Sequence, residues 1–156
     1  MALAIDEVRS VLKDLAEICR DGEEGFREAA SKISRPDLKL LFSDFSAQRA
    51  RFADELHTLI AKLGGEPDNS GTVAGAIHRG WINLKAMVAG RDDAAIINEA
   101  ERGEDVAKEH YRDALKKDLP ADIRAVVERQ SEQVLATHNQ VRALELNTQT
   151  ASRSAL

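Results

Sequence analysis

Four times along the chain, apolar residues recur at spacings of three and four, and no stretch of comparable length alternates apolar with polar. The first stripe is Ile5, Val8, Leu12, Leu15, Cys19, Gly22, Phe26, Ala29 and Ile33, which predicts a helix over 4–32. The second is Leu38, Leu41, Phe42, Phe45, Arg49, Phe52, Leu56, Leu59 and Leu63, a helix over 37–63. The third is Ile96, Ile97, Ala100, Glu104, Ala107, Tyr111 and Leu115, a helix over 93–117. The fourth is Ile123, Val127, Gln130, Val134, Leu135, His138, Val141 and Leu144, a helix over 121–146. The breaks carry stop signals. Ser34 and Asp37 have the spacing of a capping box around Pro36, Gly64-Gly65 suits a left-handed helix end, and Pro120 follows the third helix. Aromatic residues make up only 4% of the chain, so strand signals are scarce.

Loop lengths then set the topology. The first and second helices, and the third and fourth, are joined by a few residues, so each pair is an antiparallel hairpin. Between the hairpins lie about 28 residues, far more than an ordinary loop needs. A helix of 26 residues is about 40 Å long, so such a connector can cross the whole bundle and leave the second helix parallel to the third. It has an amphipathic pattern of its own, Val73, Ile77, Trp81, Leu84 and Val88, which predicts a short helix over 73–88. The predicted fold class is all-α, a four-helix bundle of two antiparallel hairpins joined by a long crossover. Residues 1–147 form this domain, and 148–156 form a flexible polar tail.

Composition narrows the function. A net charge of −5 argues against a nucleic-acid or anionic-membrane partner, either of which calls for a basic face. One cysteine excludes a disulfide framework and a four-cysteine zinc site. No apolar run approaches the roughly 20 residues of a membrane span. The first residues are acidic rather than basic, unlike a secretory signal, so a cytoplasmic protein is expected.

Each stripe carries near its midpoint a residue foreign to a plain core: Cys19, Arg49, Glu104 and His138. Packing helices of similar length brings their midpoints into one polar layer. The segment Ala100-Glu101-Arg102-Gly103-Glu104-Asp105-Val106-Ala107, with Tyr111 beyond it, resembles the third helix of rubrerythrins. Ferritin-like di-iron proteins of that kind carry a Glu on one helix of each hairpin and a Glu-x-x-His on the other. The resemblance puts Glu104 and His138 at ligand positions. It puts Cys19, Arg49, Phe52 and Leu135 where the other ligands belong, and Glu-x-x-His occurs nowhere in the chain.

The chain up to about Leu146 also resembles a bacterial family of uncharacterised ferritin-like bundles, a domain of unknown function. The resemblance lies in 18–26, in 46–52 around Arg49, in Gly80-Trp81-Ile82-Asn83-Leu84-Lys85 and in 101–105. It implies a fold and no activity.

The expected function is therefore that of a non-catalytic bundle with a degenerate di-iron site, without a cofactor, acting as an interaction or stress-related protein. In it Arg49 and Glu104 form a buried ion pair. Trp81 is the candidate interface residue, and a homo-oligomer is the partner class considered. The alternative is a protein binding iron or another divalent metal through a reduced or relocated ligand set. Its candidates are Glu104, His138 and Glu24, the last from an acidic run with Glu23 and Glu28 that could be joined by Glu55 or Asp105. His57, His78 and His110 are read as surface residues, and Gly22, Gly25 and Gly103 as points of close approach.

Overall fold

The computed structural model describes residues 3–65 and 80–154, with side chains described as far as Asn147. The described residues form α1 (Ile5–Lys32), α2 (Pro36–Lys62), α3 (Asp93–Leu115) and α4 (Ala121–Ser154), with a 3-10 turn at Leu84–Ala86 before α3. No strand occurs among the described residues. Nor is any helix there long and apolar enough to cross a membrane. The backbone of α4 continues past Leu146 as far as Ser154, into the segment expected as a polar tail.

The helix ends follow from local chemistry. Asp6 and Glu7 in the first turn of α1 and Lys32 in its last complement the helix dipole. Arg35 is extended, as a residue before proline prefers, and Pro36 opens α2 without losing a helical hydrogen bond. The capping box read at Ser34 and Asp37 does not form. Ser34 instead donates its backbone N–H to Asp93 Oδ1 at 2.9 Å, and its hydroxyl also bonds Asp93. A partner across the bundle takes the place of the local cap. At the other end of α2, Gly64 has φ +79°, Gly64 N–H donates to Ala61 O at 3.0 Å, and Gly65 N–H donates to Ile60 O at 2.9 Å. These two bonds are those of a Schellman motif.

Three contacts fix the direction of α3. Ser34, past the end of α1, meets Asp93 at the start of α3; Asp14 meets His110; and Leu3 N–H reaches Asp118 O. So α1 and α3 are antiparallel. Because α1 and α2 form a hairpin, α2 runs parallel to α3. Glu55 pairs with Arg129 and Gln48 with Thr137, so α4 runs antiparallel to α2. This is the two-hairpin, one-crossover bundle that the connector length predicts.

The half of the crossover that is described differs from the predicted helix. Residues 66–79, with Val73 and Ile77, lie outside the described residues, and 80–88 hold only the 3-10 turn. The physical reason is Trp81. Its ring lies 4.9 Å, centroid to centroid, from Phe26, wedged against Gly25 and Gly103. Gly80 takes φ +85° beneath it, so close to α3 that a Cβ there would meet Gly103 Cα at 2.7 Å. Trp81 is buried inside its own chain, which corrects its reading as an interface residue. The glycines bring a ring, rather than a second helix, close.

Leu135 is a second correction. At the position of a missing ligand glutamate it was expected in the core, yet it is 46% exposed. The inner edge of α4 is Gln130, Val134, Thr137 and Val141, and Leu135 falls outside it. Leu135→Gln is therefore expected to move the unfolding free energy by no more than about 0.5 kcal/mol, as at ordinary surface sites. A urea melt of that variant is the check.

The core has two parts. One gathers Leu12, Leu15, Leu56, Tyr111 and Val127; the other gathers Phe26, Phe42, Trp81, Ile96 and Val141. Between them lie Gly22 on α1, Arg49 on α2 and Glu104 on α3.

Candidate functional site

Arg49 on α2 and Glu104 on α3 are 1% and 0% exposed. The guanidinium donates from Nη1 to Glu104 Oε1 and from Nη2 to Glu104 Oε2, both at 2.7 Å. Two parallel bonds from one planar fork are the strongest arrangement these groups can make. A third donor, Nε, faces Gln48 Oε1 at 3.4 Å, and the guanidinium carbon lies 5.6 Å from the centre of the Phe26 ring. Room for the arginine comes from Gly22, where a Cβ would meet Arg49 Cγ and Nη1 at 3.3 Å. Burial opposes the charge of Arg49, but the adjoining carboxylate outweighs it and holds the guanidinium above its ordinary pKa.

Beside this pair runs a second polar chain. The Cys19 thiol sits 3.0 Å from Tyr111 Oη, which donates to Gln130 Oε1 at 2.7 Å. Since the tyrosine gives its proton to Gln130, the thiol is the donor toward the phenol oxygen. Gln130 Nε2 in turn donates to Glu55 Oε1 at 2.8 Å, and Glu55 pairs with Arg129 at the surface. Burial pushes the Cys19 thiol up to about 11, against the pull of Arg49, and lifts Tyr111 well above its ordinary value. A buried thiol with so high a pKa is inert.

These shifts set an alkaline weakness. Up to about pH 9, the ordinary thiol value, Cys19 is protonated in both the folded and unfolded states. Above it the unfolded thiol ionises first, so stability falls by up to about 1.4 kcal/mol per pH unit until the folded thiol titrates. Cys19→Ser is expected to flatten the fall in urea midpoint between pH 9 and pH 11, leaving the part due to Tyr111. An unchanged slope contradicts this.

His138 turns away from Glu104. Its Nε2 lies 2.6 Å from Asp105 Oδ1, and its Nδ1 lies 3.4 Å from Asn139 Oδ1. Glu101, one turn before Asp105, pairs with Arg142 at 3.0 Å. Donor atoms of Glu101, Asp105 and His138 all lie within 4.8 Å of one another. Glu24 belongs to none of this: it pairs with Arg27 on an exposed part of α1, Glu23 bonds Arg20, and Glu28 bonds Lys32. The sequence reading that joined Glu104, His138 and Glu24 is thus corrected. Glu101 escaped it, although carboxylates four apart on one helix were a usable signal.

A ferritin-like di-iron centre takes four carboxylates and two imidazoles from the middle of the bundle. Here Cys19, Arg49 and Phe52 stand at three of the positions where the resemblance puts ligands, and Glu104, at a fourth, is already closed on a cation. These residues do not fit a di-iron centre.

Residues 7–117 match the model of Domain of unknown function (DUF2383). The chain belongs to this family. The matched span holds α1 from Glu7 onward, α2, the crossover and α3, and with them both partners of the ion pair. This DUF2383 chain is similar to a solved two-domain protein from Anabaena variabilis that contains DJ-1/ThiJ/PfpI-like and ferritin-like domains. The TM-score is 0.79 at 16% identity, over 94% of this chain. The chain spans 41% of that protein's length. At that identity the likeness establishes the fold, a ferritin-like four-helix bundle. No curated protein matches the chain.

Proposed function

We propose that this DUF2383 protein is a non-catalytic ferritin-like bundle working in the cytoplasm as an interaction or stress-related module. The observation that carries the reading is the Arg49 fork closed on Glu104, where related bundles keep metal ligands. A guanidinium cannot lose its proton at any physiological pH, so it competes permanently for the one central carboxylate. The similar Anabaena protein joins its ferritin-like domain to a second domain, which suits a bundle that serves as a module. An assembly of copies has Ile82 and Val88 available, both exposed near the buried Trp81.

Ferrous iron mixed with oxygenated buffer tests the reading. The rate of ferric formation is expected to be the same with and without the protein. A protein-dependent acceleration that disappears in Glu104→Gln overturns it.

A further inference from the structure

We infer that Glu101, Asp105 and His138 form a binding site for a divalent transition ion of the zinc type on the α3–α4 face. The site is separate from the Arg49–Glu104 pair, and its failure leaves the reading above untouched. Glu101 and Asp105 are one turn apart on the same face of α3, and His138 is delivered by α4, which packs against it. A tetrahedral ion about 2.0–2.2 Å from each donor holds neighbouring donors roughly 3.3–3.6 Å apart. The donor atoms, all within 4.8 Å of one another, close to this by up to about 1.5 Å, a distance that rotation of the half-exposed Asp105 side chain covers.

The donor set selects the ion. Two carboxylates match the charge of a divalent cation. An imidazole nitrogen suits zinc and its neighbours, whereas calcium and magnesium take oxygen throughout. His138 is held for the role: its side chain is 6% exposed, while Asp105 at 51% leaves a way in from solvent. The far ring nitrogen faces an oxygen, Asn139 Oδ1, the kind of outer partner that fixes a ligand imidazole. Two positive or proton-bearing groups take the place of the ion in the metal-free protein. Arg142 Nη1 sits on Glu101, and the Nε2 edge of His138 sits on Asp105. Binding therefore displaces the Nε2 proton and swings away Arg142, which is 59% exposed and free to move.

Calorimetric titration of the full chain with zinc chloride, after chelator stripping, tests the site in the wild type, Asp105→Asn and Arg142→Gln. The wild type is expected to take up about one equivalent, as three convergent ligands imply. Asp105→Asn is expected to weaken binding at least tenfold, since even outer-shell changes cost about 10–100-fold. Arg142→Gln is expected to bind as tightly or more tightly, because a competing cation is gone. His138→Gln removes the imidazole donor, but its buried position puts folding at stake; Asp105 is half-exposed, so its variant keeps the test usable. No zinc uptake by the wild type, or less than tenfold weakening in Asp105→Asn, overturns the inference.

Discussion

Arg49→Ala and Glu104→Ala are each expected to lower stability by about 3–5 kcal/mol, because each strands a fully buried opposite charge. A carboxylate or guanidinium without water or a partner is among the costliest groups a core can hold. The double variant Arg49→Leu/Glu104→Leu removes both charges, and its cost is expected to be far below the sum of the single losses. Arg49→Lys is no rescue: an ammonium gives neither the two parallel bonds to Glu104 nor the flat face turned toward Phe26. Urea melts of the wild type, the two alanine variants, Arg49→Ala/Glu104→Ala and the double leucine variant read these quantities. Small, additive single losses would mean that the pair is not closed in solution.

Gly103→Ala is expected to be nearly as damaging, although it adds only a methyl group. That methyl would sit 2.2 Å from Trp81 Cε2 and 2.4 Å from Nε1, and at Gly25 it would sit 2.2 Å from Cδ2. The ring is rigid and faces both helices, so it must leave. Losing a buried tryptophan from a core costs about 3–5 kcal/mol. Trp81 is the sole tryptophan, so its emission should shift to the red as the ring meets water. The mechanism carries its own control. In a Trp81→Leu background the clash is gone, and the added cost of Gly103→Ala should fall by about 1–3 kcal/mol. An equal cost in both backgrounds would place the damage in the backbone of α3 instead.

The two cases explain why some features could be read from the sequence and others not. Arg49 and Glu104 stand out because each interrupts an apolar stripe near the middle of its helix, and stripes are set by a local period. The course of the bundle is equally local in origin: short joins make hairpins, and a connector too long for a turn makes a crossover. Trp81 has no such rule. Its place is defined by Gly25 and Gly103, which lie on two other elements, and only the folded chain brings them together. Ser34 likewise exchanges a local cap for Asp93, and His138 exchanges the central layer for Asp105, each through a contact far away in sequence. Leu135 shows the limit of periodicity itself. An apolar residue next to Val134 can lie inside or outside a stripe, depending on a rotation of the helix that its neighbours decide.

The centre of the bundle can be observed directly in crystals grown with excess ferrous iron under reducing, oxygen-free conditions. Data collected on either side of the iron absorption edge locate every bound iron atom, so iron at the Glu101–Asp105–His138 face is distinguished from iron in the core. The predicted map has no anomalous peak among Cys19, Arg49, Glu104 and Phe52, with the guanidinium still bonded through both nitrogens to Glu104. An iron peak on Glu104, with Arg49 swung aside, would contradict a centre built on an ion pair.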